Sequence, residues 1–252
     1  MTPITMILEA KRVEIARIEA SGVLDSRRRT RGRFSFREAL ARPGIAVIAE
    51  VKRASPSTGP LEVEPTALRD AYRAAGVDAL SILTDAHFGM SIDDLEALAA
   101  DVALPILRKD FILAESQIIE ADLIGADAIL LIAAFLSAGE LARLGAFAEA
   151  RGLDVLYETR SREEIDRLPA GARIVGINNR DLEDPGYRTD LKTADGLRAA
   201  LPNNVLTVAE SGITVPEDVP PGFDAILVGT GLIREFKKGG DVTALVASFH
   251  RR

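Results

Sequence analysis

The sequence contains no cysteine, which excludes disulfides and thiolate-bound metals and makes a reducing cytoplasm the expected compartment. Histidine is nearly as scarce. His87 and His250 are the only two, which argues against a histidine-rich metal site. No segment approaches the ~18 apolar residues that a membrane span needs, and the N-terminal stretch lacks the basic-then-apolar layout of a signal peptide. A soluble, unprocessed protein is expected. Positive charge is in deficit too: the formal net charge is −7, which argues against general affinity for nucleic acid or anionic membrane. The exception is SRRRTRGR at 26–33, which carries Arg27, Arg28, Arg29, Arg31 and Arg33. With no aromatic residue interleaved, it reads as a solvated connector after a first helix rather than a phosphate-backbone patch.

What is present is apolar residue in quantity, 47% over 252 residues, enough for one large domain or two small ones. Aliphatic runs that read as strands fall at 45–50, 79–84, 104–108, 127–132, 154–159, 173–178, 204–210 and 224–229. Helical patterns separate them at about 65–76, 91–101, 115–125, 137–151, 161–168, 187–201 and 241–250, with Ser91, Ser137 and Ser161 as N-caps. The phrases GVDALSIL, GADAILLI, GLDVLYE and GFDAILVG repeat one junction: glycine at a helix end, aspartate in the turn, then an apolar strand. Continuous apolar runs, rather than alternation, are expected of parallel strands covered on both faces. Eight such units without a linker predict a (β/α)8 TIM barrel over 45–252, with a doubly wound open sheet as the alternative. Residues 1–44 form an N-terminal helical extension of the same domain. In it Ile4, Ile7, Leu8, Ile15 and Ile18 share one helical face, interrupted by Lys11, which is expected to pack over one end of the barrel.

In such a barrel chemistry belongs at the C-terminal strand ends, and side chains two apart on a strand share a face. In IAEVKRASPSTG at 48–59, an inward Ile48 carries Glu50 and Lys52 inward with it. The same parity brings Lys109, Glu158, Asn178 with Arg180, and Glu210 to the mouth. Three carboxylates then face three cations, which keeps buried ions compensated and suits tuned acid–base pairs better than a mere seal. A second cluster, ESGI at 210–213 and VGTG at 228–231, places small residues after the last two strands. There backbone N–H groups and a short helix opening near Thr230 would form a phosphate site.

IAEVKRASPSTG, PILRKDFI, GINNRDL, AESGI and ILVGTGLIR, in this order over about 35–250, resemble the indole-3-glycerol phosphate synthase family, and the N-terminal extension fits its usual form. The resemblance implies an enzyme of tryptophan biosynthesis, a carboxy-lyase. It would close the pyrrole ring of 1-(2-carboxyphenylamino)-1-deoxyribulose 5-phosphate with loss of CO2 and water. It also implies roles. Lys109 looks like the general acid that protonates the ketose carbonyl, Lys52 like the lysine that contacts the substrate carboxylate and joins in proton transfer, and Glu158 like the carboxylate that assists dehydration. Glu50, Asn178, Arg180 and Glu210 resemble the remaining polar wall. Ser55, Ser211, Gly212, Gly229 and Thr230 match the phosphate side, and Phe111, Leu182 and Phe88 would line the slot for the anthranilate ring. No cofactor and no metal are implied. The expected partner is a phosphorylated small molecule, with no nucleic acid and no membrane, and the expected assembly is a monomer or weak homodimer. A second ammonium and a desolvated slot predict a Lys109 pKa lowered toward neutrality.

The sequence departs from the family in three places. LTDAHFGMS is one residue short and lacks the paired aromatics of the loop after the second strand. LYETR replaces a form closer to LVEVH, which should turn Tyr157 and Thr159 toward the helices and add Arg160 as a new cation. VGTG carries Gly231 where serine is common, so one phosphate contact is expected to be lost. Two alternatives share the fold. The isomerase that precedes this step is disfavoured because a Cys/Asp pair is expected of it, and a non-catalytic phosphate-binding barrel leaves the charged ring without a use.

Overall fold

The structure, a computed structural model, describes residues 4–29, 31–55, 59–184 and 186–252, with Val23, Ser26 and Ser55 described in their backbone only. Eight strands close on themselves: β1 (Ala46–Val51), β2 (Ala79–Leu83), β3 (Ile106–Lys109), β4 (Ala128–Ile132), β5 (Asp154–Thr159), β6 (Ile174–Asn178), β7 (Leu206–Glu210) and β8 (Ala225–Val228). They are joined in chain order, and β8 returns to β1. Each pairing is parallel. This is the expected barrel and not the open sheet. Ile48, Leu107, Leu130, Leu156, Val208 and Leu227 fill its interior, while Val47, Ile106, Ile129, Val155 and Ile226 meet the helices outside. Strands β1, β3, β4, β5 and β8 thus bury apolar residues on both faces, which is why the runs showed no alternation.

The repeated Gly-Asp junction has a structural reason. Gly76, Gly125, Gly152 and Gly222 all adopt positive φ, which a glycine takes without a Cβ penalty. The aspartates that follow at 78, 127 and 224 accept the backbone N–H of Val47, Ile106 and Thr207, at 2.7, 3.0 and 2.8 Å. Each therefore fastens the bottom of the preceding strand. Asp154 serves the extension instead, accepting the N–H of Arg37 at 2.9 Å.

The helices are α1 (Ile4–Ser21), α2 (Val23–Ser26), α3 (Phe36–Leu40), α4 (Pro65–Ala75), α5 (Ile92–Ala99), α6 (Glu115–Leu123), α7 (Ala138–Ala150), α8 (Arg162–Asp166), α9 (Lys192–Leu197), α10 (Thr230–Lys237) and α11 (Val242–His250). Ser91, Ser137 and Ser161 do cap their helices, each accepting from the backbone three residues on. The helix expected over 187–201 is corrected at its start. Residues 187–191 form a loop folded back on the end of β6, with Asp181 N–H donating to Arg188 O at 2.8 Å and Asp190 N–H to Asn179 O at 2.9 Å.

The extension wraps the barrel from mouth to floor. Lys11 of α1 lies against Asp85 and Asp110 beyond the C-terminal ends of β2 and β3. On α3, Phe36 and Leu40 are fully buried in the interior cluster. The chain is fixed at the floor where Phe34 N–H meets Asp127. Two expectations change here. Lys11 does not interrupt the buried face of α1 but is its most buried residue, at 1% exposure. Arg29 and Arg31 are not solvated. Arg29 donates to Asp122 O, Ala126 O and Asp127, and Arg31 to Gly125 O, Val102 O, Leu104 O and Asp127. Helix ends leave carbonyls without partners, and a guanidinium offers five donors to satisfy them. The solvated reading holds for Arg28, whose contacts are local and exposed.

Candidate active site

At the C-terminal strand ends lies a cavity of about 280 Å³, lined by Glu50, Lys52, Lys109, Glu158, Asn178, Arg180 and Glu210. The ring expected from strand parity is assembled. Glu50 and Lys52 form a buried ion pair. Lys109 Nζ stands 3.2 Å from Glu158 Oε2 and 3.6 Å from Glu210 Oε2. Asn178 Oδ1 accepts the N–H of Arg180 at 2.9 Å, which bends the chain out of β6.

Two glycines make room for these charges. A Cβ at Gly176 would stand 2.1 Å from Glu210 Oε1, and one at Gly229 would stand 2.5 Å from Glu50 Oε1. Glycine inside a strand often marks such an approach, a signal that VGIN carried and that sequence reasoning missed.

Burial disfavours the Lys109 ammonium, yet Glu158, Glu210 and Glu50 together outweigh it and hold its pKa above the ordinary amine value. The expected lowering toward neutrality is overturned, because carboxylates and not a second ammonium dominate its surroundings. The pKa of Glu210 is raised too, which for a carboxyl favours the neutral form. Burial first, then the charge of Glu158, raise it well above the usual carboxylate range, and its oxygens accept no hydrogen bond among the described residues. Glu50 is also buried, but Lys52, Lys109 and Arg180 more than offset the burial and lower its pKa. One wall therefore holds a carboxyl that favours its neutral form beside a fixed ammonium, and the other holds a fixed ion pair.

Ser211, Gly212, Gly229 and Thr230 line the same cavity. Ser211 and Gly212 both take positive φ, 65° and 83°, strained for a serine and characteristic of functional turns. Gly229 is the N-cap of α10, where no side chain caps the first turn, so the terminus that lines the cavity is of the kind that favours an anion. Arg234, on the second turn of α10, also lines it; it lies inside the quoted motif ILVGTGLIR but was passed over. Gly231 lies outside the lining. A Cβ there would stand 2.8 Å from Thr214 Cα, so this glycine lets α10 close onto the loop after β7. Ser55 pairs with Gly59 in a short antiparallel hairpin, and its side chain lies outside the described residues, as do Pro56 and Ser57.

Phe88, Phe111 and Leu182 supply the apolar end, joined by Leu130 and Ile132. Phe111 packs against Phe135, with ring centroids 6.1 Å apart at 49°. The loop after β2 forms a 3-10 turn, Ala86–Phe88, capped by Asp85, and Phe88 lines the cavity. Tyr157 points outward onto α7, where a Cβ at Gly145 would overlap its hydroxyl. Thr159 turns outward as well, donating to Gly176 O. Arg160 turns toward Asp181, 3.6 Å away, and does not line the cavity.

The model of the family described as indole-3-glycerol phosphate synthase matches residues 4–245. The chain belongs to the indole-3-glycerol phosphate synthase family. An indole-3-glycerol phosphate synthase of Chlorobaculum tepidum is 43% identical over 252 residues, which cover 92% of this chain and 96% of that protein. One of Mycobacterium leprae is 44% identical over 217 residues, covering 83% of this chain and 78% of that one. Among solved structures, the tryptophan synthase alpha subunit of Legionella pneumophila superposes with a TM-score of 0.57 at 16% identity, over 82% of this chain and 92% of that one. That likeness carries the barrel fold alone. Beyond the family's quoted motifs, the cavity of this synthase-family chain is completed by Asp85, Thr189 and Thr214, and Asp110 of PILRKDFI lines it too. Loop residues such as Thr189 reach it only through the fold-back over β6, which no local pattern announces.

Proposed function

We propose that this chain converts 1-(2-carboxyphenylamino)-1-deoxyribulose 5-phosphate to indole-3-glycerol phosphate, with loss of CO2 and water, and that the cavity residues divide the work by position. The phosphate lies at Ser211, Gly212, Gly229 and Thr230, where turn N–H groups and the α10 terminus favour an anion. The anthranilate ring lies between Phe88, Phe111 and Leu182, and its carboxylate meets Lys52. The ketose carbonyl then falls at Lys109. As the ring carbon attacks it, the carbonyl oxygen takes a proton from the Lys109 ammonium. CO2 leaves with its bonding electrons returned to the ring. The new hydroxyl takes a proton from Lys52 and departs as water; Glu158 stabilises the resulting cation and then takes a proton from the adjacent ring carbon to leave the indole, and the lysines are reprotonated from solvent. Glu50, Asn178, Arg180 and Glu210 hold the polar wall, and Ser55 is assigned to the phosphate side by its motif. The chemistry uses the chain's own acids and bases, so no metal and no organic cofactor is assigned a role.

The observation that supports this reading is Lys109, 3.2 Å from Glu158 and 3.6 Å from Glu210, in one cavity whose lining also includes Phe88, Phe111, Ser211 and Thr230. A lysine so placed is charged before the reaction, as a general acid must be. Residues 1–44 and 45–252 are taken as one functional unit, working in the cytoplasm as a monomer or weak homodimer. Incubating the chain with the substrate and following indole absorbance tests the assignment. Product formation supports it. Phosphate-dependent thermal stabilisation without product would leave a barrel that only binds.

A further inference from the structure

Lys11, from the N-terminal helix, has no part in that assignment, yet it is buried beside the aromatic end. Its ammonium lies 2.8 Å from Asp110 Oδ1, 3.2 Å from Asp85 Oδ2 and 2.9 Å from Glu14 Oε2. Each of the two aspartates fixes one aromatic wall. Asp85 Oδ1 accepts His87 N–H at 2.8 Å, faces the His87 ring at 2.8 Å and caps the turn that carries Phe88. Asp110 separates Lys109 from Phe111. Its Oδ1 accepts Phe111 N–H at 2.8 Å, and its Oδ2 receives Thr84 Oγ1 at 2.5 Å and Arg108 at 2.9 Å. Arg108 in turn is held by Glu120 and the carbonyl of Gln117 on α6.

We propose that Lys11 is a positioning residue: its ammonium ties the loop after β2 to the end of β3, and so sets the spacing of Phe88 and Phe111 around the substrate's aromatic ring. An apolar side chain would seal α1 onto the barrel at lower desolvation cost. An ammonium there has a different consequence. Asp85 and Asp110 are buried and of like charge, and with Lys11 removed they repel across the gap it fills. Asp110 is anchored by Thr84 and Arg108, so Asp85 is the one that moves, and the turn with Phe88 moves with it. The N-terminal helix thereby becomes part of the ring-binding end. This inference rests on the assignment of that end to the anthranilate ring.

The test uses the full chain with Lys11→Met and with Lys11→Met combined with Asp85→Asn, read by steady-state kinetics and by amide hydrogen exchange. In Lys11→Met, KM rises about tenfold while kcat stays within about threefold, the split expected when substrate placement and not proton transfer is disturbed. The amides of His87, Phe88 and Phe111 exchange about tenfold faster, and those of Gly212 and Thr230 are unchanged. Adding Asp85→Asn removes the repulsion, so KM falls below that of Lys11→Met alone and the His87 and Phe88 amides exchange more slowly than in that variant. An unchanged KM with a lowered melting temperature alone would reduce Lys11 to a helix-docking residue. Faster exchange that extends to Gly212 would contradict the proposal too, as general loosening. Lys11→Gln replaces Lys11→Met should the latter not fold, with the same split expected. Wild-type chain without turnover counts against the assigned reaction, whereas the exchange arm still decides the role of Lys11.

Discussion

Glu210 occupies the space that a side chain at position 176 would need: a Cβ on Gly176 would stand 2.1 Å from Glu210 Oε1. The glycine of β6 and the last carboxylate of β7 are thus one feature, a pocket in the barrel wall holding a buried carboxyl. Because the obstructed atom ends a flexible side chain, Gly176→Ala displaces Glu210 more readily than it disrupts β6. We expect kcat/KM to fall about tenfold or more, with a modest drop in melting temperature. Unchanged kinetics would mean that Glu210's position does not matter.

The raised pKa of Glu210 gives a stability prediction with a definite sign. Its folded-state pKa lies above its unfolded value, because burial and Glu158 both favour the neutral form. The stability this confers is fully present below the unfolded pKa of about 4.3 and is lost as pH rises through the folded value. Glutamine does not titrate. The melting temperature of Glu210→Gln relative to wild type should therefore climb as pH is raised from about 4 toward 8. A pH-independent difference would contradict the assigned shift.

How much of this was legible in advance varied with how local the cause is. Side-chain alternation is local, so the inward placement of Glu50, Lys109, Glu158 and Glu210 followed once Ile48 was set inward. The Gly-Asp junctions were equally visible, since helix end, turn and strand start lie within a few residues. Lys11 and Arg31 were misread because their partners, Asp110 and Asp127, are about a hundred positions away, and charges on an isolated segment read as solvated. The pKa of Lys109 was misjudged for a related reason. Strand parity counted the charges at the mouth without showing that carboxylates from β1, β5 and β7 outweigh Lys52 around this one ammonium.

The floor of the barrel should be a stability determinant independent of the reaction. Arg31 is half of the clamp on Asp127, and its loss leaves that carboxylate short of a cation and the carbonyls of Val102, Leu104 and Gly125 short of a donor. Arg31→Ala should cost about 3 kcal/mol in denaturant unfolding, as expected for breaking a buried ionic contact. The turnover of the folded fraction should not change. Reduced turnover with full stability would contradict a purely structural role.

Gly212 is constrained from two sides. Its φ is +83°, and an added Cβ would stand 2.8 Å from Thr189 Cγ2 and 2.9 Å from Leu191 Cδ2. Gly212→Ala should push the loop after β7 off the fold-back over β6 and raise KM about tenfold, with inorganic phosphate losing its protection against thermal unfolding. Retained protection would place the phosphate elsewhere.

The central claim is that Lys109 delivers the proton in ring closure, and single-turnover conversion of the substrate by wild type and Lys109→Ala tests it most directly. Loss of a positioned general acid slows such a step by about 10² to 10⁴-fold. The account predicts a fall in that range with substrate still bound. A rate within about threefold of wild type would contradict it and move the acid to another residue of the ring.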